Sequence, residues 1–548
     1  MIQILSVQDI KQAELESYSM GESSNSLVKK AANSISDYIV TEFPKDTNTN
    51  IVIISGAGNN GNDGILAGCY LATKGYNVTI FRFKNKNLVL PDYVRLEINE
   101  RNKTKDIEYF EFSNVSYFEE QLFEQLSLAN IIVDSLLGIG MNRPLSEDLS
   151  NLVNIINSFS SNKNTVISID IPTGINADTG EVYNNDILEN NKLAVSADKL
   201  LVLNYPKIGL FNLPALEYFQ DYVVLKSGVN SRMVSNNFLM EITDFEKILP
   251  YRPTSSYKGT FGKLLIIGSS KEFSGAAFLA GKAAYRAGVG LVSIATTESA
   301  ISLYGSYLPE AIYCPLDEQT NGMISSNKSN YSILEKVISQ YDAVLIGCGI
   351  GKSQETMEIV KFVIDYHNKY NNQFNLIIDA DGINNLAELT NHSNVTLNNT
   401  ILTPHLGELA NLGHQSLSNI TLNDRFRLSD EILNQLTGEM VSKNQVFKNN
   451  VIIAKGPYTQ IIDGLKNTFV SPFATPLLST AGSGDVLAGL VASLSSQNVS
   501  TLNSALLGVY LHGLSAVLKK PQYGNTGLLA SDIADNIPFA IKKIQDHK

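Results

Sequence analysis

Cysteine and net positive charge are both scarce in this sequence. Its 548 residues include only three cysteines, Cys69, Cys314 and Cys348. They form no C-x-x-C pair, which argues against both a disulfide framework and a zinc site, and the expected compartment is the cytoplasm. Lys and Arg number 42 against 54 Asp and Glu, for a formal net charge of −12. Without a basic stripe, nucleic acid is not the expected partner. No uninterrupted apolar run approaches ~18 residues, so no membrane contact through a spanning helix is expected. The opening MIQILSVQDIKQAELES lacks the basic-then-apolar order of a signal peptide. No repeat of roughly 20–50 residues recurs, which sets solenoids aside.

What is present is an ordinary globular composition, 44% hydrophobic, long enough for two or more domains. Short β-branched runs recur with helical segments between them: IVIIS (51–55), NVTIF (77–81), NIIVD (130–134), TVISID (165–170) and KLLVLN (199–204). Buried strands alternating with helices predict a parallel sheet covered on both faces. The pattern fades in VVLKSGVNSRMVSNN (223–237), separating an expected first domain, 1–228, from a second, 236–548. The second repeats the α/β pattern in KLLIIG (263–268), LVSIAT (291–296), AVLIG (343–347), FNLIID (374–379), TILT (400–403) and NVIIAKG (450–456). LNSALLGVYLHGLSAVL (502–518) reads as a largely buried helix.

Chemistry concentrates in loops that follow these strands, where open α/β sheets bind ligands. GAGNNGNDG (56–64) is glycine-rich but departs from G-x-G-x-x-G, so a plain dinucleotide fingerprint is not met. DSLLGIGMNRP (134–144) and DIPTGINADTG (170–180) have the same placement. An acidic residue at a strand end is often only a turn former. Here Asn60, Asp134 and Thr173 can offer hard oxygen ligands to a cation, which leaves Asp170 for acid–base work. In the second half, STAGSGDVLAG (479–489) sets one carboxylate, Asp485, into a small-residue loop at a helix start. Such a loop favours anions, so the Asp is expected to serve as a proton acceptor. Cys348, inside GCGIG, reads as a small loop filler, and the five histidines other than His405 lie outside motif loops.

The first three loops resemble the N-terminal domain of bacterial NAD(P)H-hydrate repair enzymes, an NAD(P)H-hydrate epimerase, over about the first 225 residues. The resemblance implies a Rossmann-like three-layer parallel-sheet domain. It implies potassium contacts at Asn60, Asp134 and Thr173. Implied substrate contacts are Asn59, Asn60, Gly61, Asn62, Asp63, Gly138, Ile139, Gly140, Met141, Asn142, Arg143, Pro144 and Asp170, with Asp170 as the acid–base residue. Asn62 stands where the family usually has Gly, and AVSADK (194–199) replaces a more Thr-rich segment.

The second half carries SSYKGTFGKLLIIGSS, LPEA, GCGIG, DADGIN, LTPHLGE, KGPYT and AGSGD in that chain order. From about residue 240 onward the set resembles the ADP/ATP-dependent NAD(P)H-hydrate dehydratase domain, which implies a ribokinase-like α/β fold. Implied hydrate contacts are Ala277, Gly349, His405 and Asp485. Implied nucleotide contacts are Lys455, Gly456, Pro457, Tyr458, Thr459 and Gly484, and Asp485 is the implied base. TPLLSTAGSGD (475–485) stands where the family usually reads N-P-G-M-A-T-G-G-S-G-D.

Together these imply a bifunctional enzyme. The first domain interconverts the R and S forms of hydrated NADH or NADPH. The second dehydrates the S form with ADP or ATP through a phosphorylated intermediate. K+, and Mg2+ with the nucleotide, are the implied cofactors, and a homo-oligomer is expected. Two alternatives stay open. One is a small-molecule kinase with an accessory domain, against which His405 stands, because kinases of the superfold carry T-P-N-x-x-E. The other is a dehydratase whose N-terminal half is a non-catalytic binding module.

Overall fold

The computed structural model describes residues 1–44, 49–84, 88–160, 164–183, 193–370, 373–437 and 449–547. The chain divides into two compact units, Ile2–Ser235 and Asn236–Lys548, the second joined by Met1.

The first unit is built on seven strands: β1 (Asn50–Ser55), β2 (Asn77–Phe83), β3 (Ile107–Phe112), β4 (Ile131–Ser135), β5 (Thr165–Ile169), β6 (Ala197–Leu203) and β7 (Phe219–Leu225). All pairings are parallel, in the order β3-β2-β1-β4-β5-β6-β7. That is the order of dinucleotide-binding sheets, whose ligand crevice opens where the order reverses, between β1 and β4. Apolar residues of β1, β2 and β4 pack against the helices Ser24–Glu42 and Asn59–Thr73 in one core.

Two of these strands, β3 and β7, escape the apolar-run reading. They are the sheet's two edges. Edge strands have a row of solvated backbone groups and carry charge, here as Glu108, Glu111 and Asp221 within IEYFEF and FQDYVVL.

The second unit adds β8 (Asn237–Leu239), β9 (Lys263–Ile267), β10 (Leu291–Thr297), β11 (Ile312–Leu316), β12 (Ala343–Ile346), β13 (Asn375–Ile378), β14 (Thr400–Leu402), β15 (Val451–Ala454), β16 (Gln460–Asp463) and β17 (Thr468–Val470). They lie in the order β8-β17-β16-β15-β14-β13-β12-β9-β10-β11. The run from β15 to β11 is parallel, while β15, β16 and β17 pair antiparallel. The unexpected edge strand β11 contains Pro315, which an edge tolerates because no ladder donor is needed on the open side. The helix Thr501–Val517 has the composition of a membrane span but is mostly buried within this unit as a core helix.

Small residues on helices Ala276–Arg286 and Ser483–Ser496 let the two backbones touch. A Cβ at Gly489 would stand 2.1 Å from the Ala280 carbonyl oxygen. Gly489→Ala is therefore expected to destabilise this unit by about 3 kcal/mol through overpacking. A fall in its thermal midpoint measures the effect, and an unchanged midpoint contradicts the close approach.

Candidate active sites

In the first unit the helix Asn59–Thr73 starts at Asn59, so Asn59 to Asp63 occupy its first turns rather than a loop. Close approach makes two glycines necessary. A Cβ at Gly56 would lie 1.9 Å from the Leu136 carbonyl oxygen, and one at Gly61 would lie 2.0 Å from that of Gly56. Asn62 needs no such freedom. Its N–H donates to the Gly58 carbonyl at 3.1 Å as an ordinary helical residue, so the Gly-to-Asn departure costs no backbone strain.

Asp134, at the end of β4 and fully buried, is the hub of this site. Its Oδ1 accepts from Thr173 Oγ1 at 2.7 Å and Leu136 N at 3.2 Å, and its Oδ2 from Ser168 Oγ at 2.8 Å and Thr173 N at 2.9 Å. Burial raises its pKa, and the bonds from Thr173, Ser168 and Leu136 draw it back down. Thr173 Oγ1 also accepts from Leu137 N at 3.0 Å. Asn60 Nδ2 donates to the Leu137 carbonyl at 2.9 Å, while its Oδ1 is buried without a partner among the described residues. A Cβ on Gly138 would lie 3.1 Å from the Asn60 Cβ. Asn60, Asp134, Thr173 and the start of the 138–144 loop therefore converge. An orphaned amide oxygen beside a hydroxyl and a buried carboxylate is a donor set that fits K+.

Further along the 138–144 loop, Met141 is buried, whereas Gly140, Asn142, Arg143 and Pro144 are exposed, as is Asn59 at the helix start. Ile139 is half-buried.

Asp170 follows β5 in a left-handed conformation, φ +68°, which costs a non-glycine residue about 1 kcal/mol. Its Oδ1 accepts from Leu203 N at 3.0 Å and from the ammonium of Lys207. Lys207 is 1% exposed and had no motif to mark it. Asp63 sits close enough for the Asp170 charge to act on it. Burial, then Asp170 and Glu14, push the Asp63 carboxyl well up, and its Oδ1 has no partner among the described residues. Glu14, from the helix Val7–Ser19, is raised by burial and by Asp170, against the pull of Lys207. The result is one buried ammonium among three carboxyls, an arrangement that separates proton donors from proton acceptors.

In the second unit Asp485 is the third residue of the helix Ser483–Ser496, capped by Gly482 at φ +84°. Gly484 and Asp485 belong to the first turn, whose amides lack intrahelical acceptors. Ser483 N–H instead reaches back to the Thr480 carbonyl at 3.3 Å, which narrows the expected anion hole. Burial, and next the charge of Asp379, push the Asp485 carboxyl up to about 7. Sulfur and oxygen atoms of Cys348, Asp379 and Asp485 lie within 4.8 Å of one another. Cys348 is thus more than filler, since its thiol reaches Asp379 Oδ2 at 3.5 Å. Burial between carboxylates raises this thiol well above its usual range, so it is no thiolate nucleophile.

Lys455 sits in the same cluster. Its Nζ is 3.0 Å from Asp379 Oδ1 and 3.6 Å from Glu408 Oε2, and a Cβ on Gly484 would lie 3.4 Å from it. The Cys–Asp–Asp set does not fit Mg2+, which demands oxygen ligands, and Asp379 already carries the Lys455 ammonium.

His405 caps the helix Leu406–Leu412. Its ring Nδ1 accepts from Glu408 N at 3.2 Å, and its backbone N–H donates to Glu408 Oε2 at 2.8 Å. Ala277 is fully buried with its N–H donated to Ser269 Oγ at 2.9 Å. Gly349, at φ +66°, would place a Cβ 2.8 Å from the Ala276 Cβ. The two predicted hydrate contacts are thus neighbours.

A cavity of about 450 Å³ is lined by Lys455, Gly456, Pro457, Thr459 and Gly484. Tyr458 is buried at φ +47° and does not line it. His512, outside every motif loop, does line it. Burial lowers this imidazole to about 4, leaving it neutral, and its Nε2 has no partner among the described residues. Its signal in the sequence was only a polar residue inside an otherwise apolar helix.

The family profile for NAD(P)H-hydrate dehydratase matches residues 264–539, and that for the YjeF-related protein N-terminus matches residues 24–209. The bifunctional NAD(P)H-hydrate repair enzyme of Dictyoglomus turgidum is 32% identical over 526 residues, covering 94% of each chain. That of Thermofilum pendens is 28% identical, over 90% of this chain and 88% of the relative. A Bacillus subtilis ADP/ATP-dependent NAD(P)H-hydrate dehydratase, solved after co-crystallisation with ATP/Mg2+, is 26% identical over 56% of this chain and 98% of that one, with a TM-score of 0.44. With both profiles in chain order and a 32% identical relative matched over 94% of its length, this chain belongs to the family of bifunctional NAD(P)H-hydrate repair enzymes.

Proposed function

We propose that the two units repair hydrated NADH and NADPH in sequence, the first interconverting the R and S hydrates and the second dehydrating the S hydrate at the expense of ADP or ATP. One observation carries the second step: a carboxyl lifted to about 7 in the first turn of a helix, within 4.8 Å of Asp379. Asp485 accepts the hydrate's hydroxyl proton as that oxygen attacks the terminal phosphoryl group of the nucleotide. The first-turn amides at Gly484 and Asp485 and the Lys455 ammonium face the charge that develops there. The C–O bond then breaks with phosphate as leaving group, the adjacent ring carbon loses its proton, and the ring double bond returns. Any Mg2+ enters with the nucleotide phosphates.

In the first unit Asp170, oriented by Lys207, carries the carbinol hydroxyl proton to the ring nitrogen as the bond between that nitrogen and the carbinol carbon breaks to leave a carbonyl. Re-closure on the carbonyl's other face reverses the transfer and gives the other epimer. Asn60, Asp134 and Thr173 would hold K+, which when bound would supply a fixed positive charge for the substrate's polar groups. Three free cysteines suit a reducing, cytoplasmic setting.

The reading is tested by incubating the chain with NADHX and ADP. NADH, AMP and phosphate are expected, whereas a stable phosphorylated product would make it a kinase. Asp485→Asn should lower the dehydration rate by about 10²–10⁴-fold. Since the base must be deprotonated, kcat/KM should rise with pH and level off above about 7. Lys455 lowers the Asp485 pKa, so Lys455→Met should move that rise to higher pH. Asp170→Asn should abolish nucleotide-independent R-to-S conversion measured by NMR while leaving dehydration of the pure S hydrate in place. An epimerisation rate equal to wild type would make the first unit a binding module. Replacing K+ by Na+ should slow epimerisation, and equal rates in the two salts would remove the cation from the site.

A further inference from the structure

A second cavity in the first unit lies outside every motif loop. It encloses about 400 Å³ beside β2, β3 and the helix Asp92–Thr104, and its lining includes Arg82, Lys84, Arg95, Asn99 and Glu111. Arg82 is 3% exposed. One of its nitrogens, Nη1, is spent on Glu111 Oε1 at 2.9 Å, while Nε and Nη2 are buried with no partner among the described residues. Lys84 Nζ takes the other Glu111 oxygen at 2.6 Å. Two cations therefore share one carboxylate, while Arg95 lies 3.5 Å from Asp92, and two buried guanidinium nitrogens of Arg82 have no partner among the described residues. An unpaired buried donor is destabilising, and an anion filling the cavity offsets that cost.

The sheet register says what that anion belongs to. Arg82 is paired with Ser55 on one side and Glu111 on the other. Ser55 is the last residue of β1, immediately before the 56–64 motif. On the other side of Ser55 stands Ser135, next to the hub carboxylate Asp134. At ~4.8 Å per strand, Arg82 lies roughly 10 Å from the cation site, along the same carboxyl edge of the sheet. A dinucleotide laid across such an edge places its pyrophosphate at the glycine-rich helix start. Its adenosine ribose then reaches the end of the next strand, where an Arg receives a 2′-phosphate. Arg82 is the second-last residue of that strand. The helix Asp92–Thr104 packs on the helix Asn59–Thr73 that opens within the motif.

We propose that the Arg82 cavity is the subsite for the 2′-phosphate of hydrated NADPH, making the first unit prefer NADPHX to NADHX. Arg82 donates through Nε and Nη2 to the phosphate oxygens, and Lys84 and Arg95 add charge at the mouth. A substrate ending in a 2′-hydroxyl leaves those guanidinium donors unpaired. The inference rests on the epimerase reading of this unit.

The test is R-to-S conversion of both hydrates by the full chain without nucleotide, together with equilibrium dialysis of NADP+ and NAD+ under saturating ADP. Wild type should show kcat/KM for NADPHX at least tenfold above that for NADHX. Arg82→Met should reduce that ratio at least tenfold. Arg95→Gln, at a half-exposed site where folding is safe, should reduce it about threefold. Inorganic phosphate should compete with NADP+ and not with NAD+. A wild-type ratio of unity, or variants that lower both hydrates equally, would overturn the subsite. A chain inactive on both hydrates sinks the epimerase reading, and dialysis then decides separately. Loss of NADP+ preference in Arg82→Met supports the subsite, and equal binding of the two dinucleotides by wild type refutes it.

Discussion

One ammonium holds the second unit's chemistry together. Lys455 is drawn into a buried setting with Asp379, Glu408 and Asp485, and without it three carboxylates would face one another in a medium that cannot screen them. Its first ties are to Asp379 and Glu408, so Asp485 is left with the weaker share of its charge. Burial first, and then the Asp379 charge, push the Asp485 carboxyl towards neutrality, and that weaker share of the Lys455 charge opposes them only in part. Glu408 in turn is steered by the His405 cap, so the distinctive TPHLGE motif acts on the reaction centre partly through the charge balance it maintains.

The first unit solves the same problem with different partners. Asp134 is satisfied by hydroxyls and amides alone, which leaves its charge uncancelled and available to a cation. Asp170, three strand positions from Arg82, is instead matched by a buried lysine. A protein with no net basic character thus sets Lys207, Lys455 and Arg82 each beside a carboxylate at the carboxyl end of a strand, whereas the buried Arg425 is held by the Leu422 and Pro457 carbonyls.

The central strands and the motif loops were legible in the sequence because burial on both faces writes continuous apolar runs, and glycines mark the strand-to-helix turns. The edge strands β3, β7 and β11 were not, because a solvated edge admits Glu, Asp and even Pro. Asp134, Thr173 and Asn60 could be grouped from their loops, but Ser168, the fourth partner of that carboxylate's network, lies inside a strand and looks like core. Lys207, Asp379 and His512 escaped for a related reason. Each is a polar residue whose partner lies between 24 and 76 positions away in the contacts that define it, so no local pattern records the pairing. Asn62 shows the reverse case, a departure from the family's Gly that costs the backbone nothing because the helix starts at Asn59.

The contact between Gly489 and Ala280 ties together more than two helices. One of them begins at the anion-binding turn around Asp485, the other at Ala276 and Ala277 beside Gly349. With backbone pressed on backbone there is no side chain to absorb a sliding movement. In the function proposed above, that contact would fix the separation between the turn at Asp485 and the corner at Ala277 and Gly349, so that packing would set the gap between phosphoryl donor and acceptor.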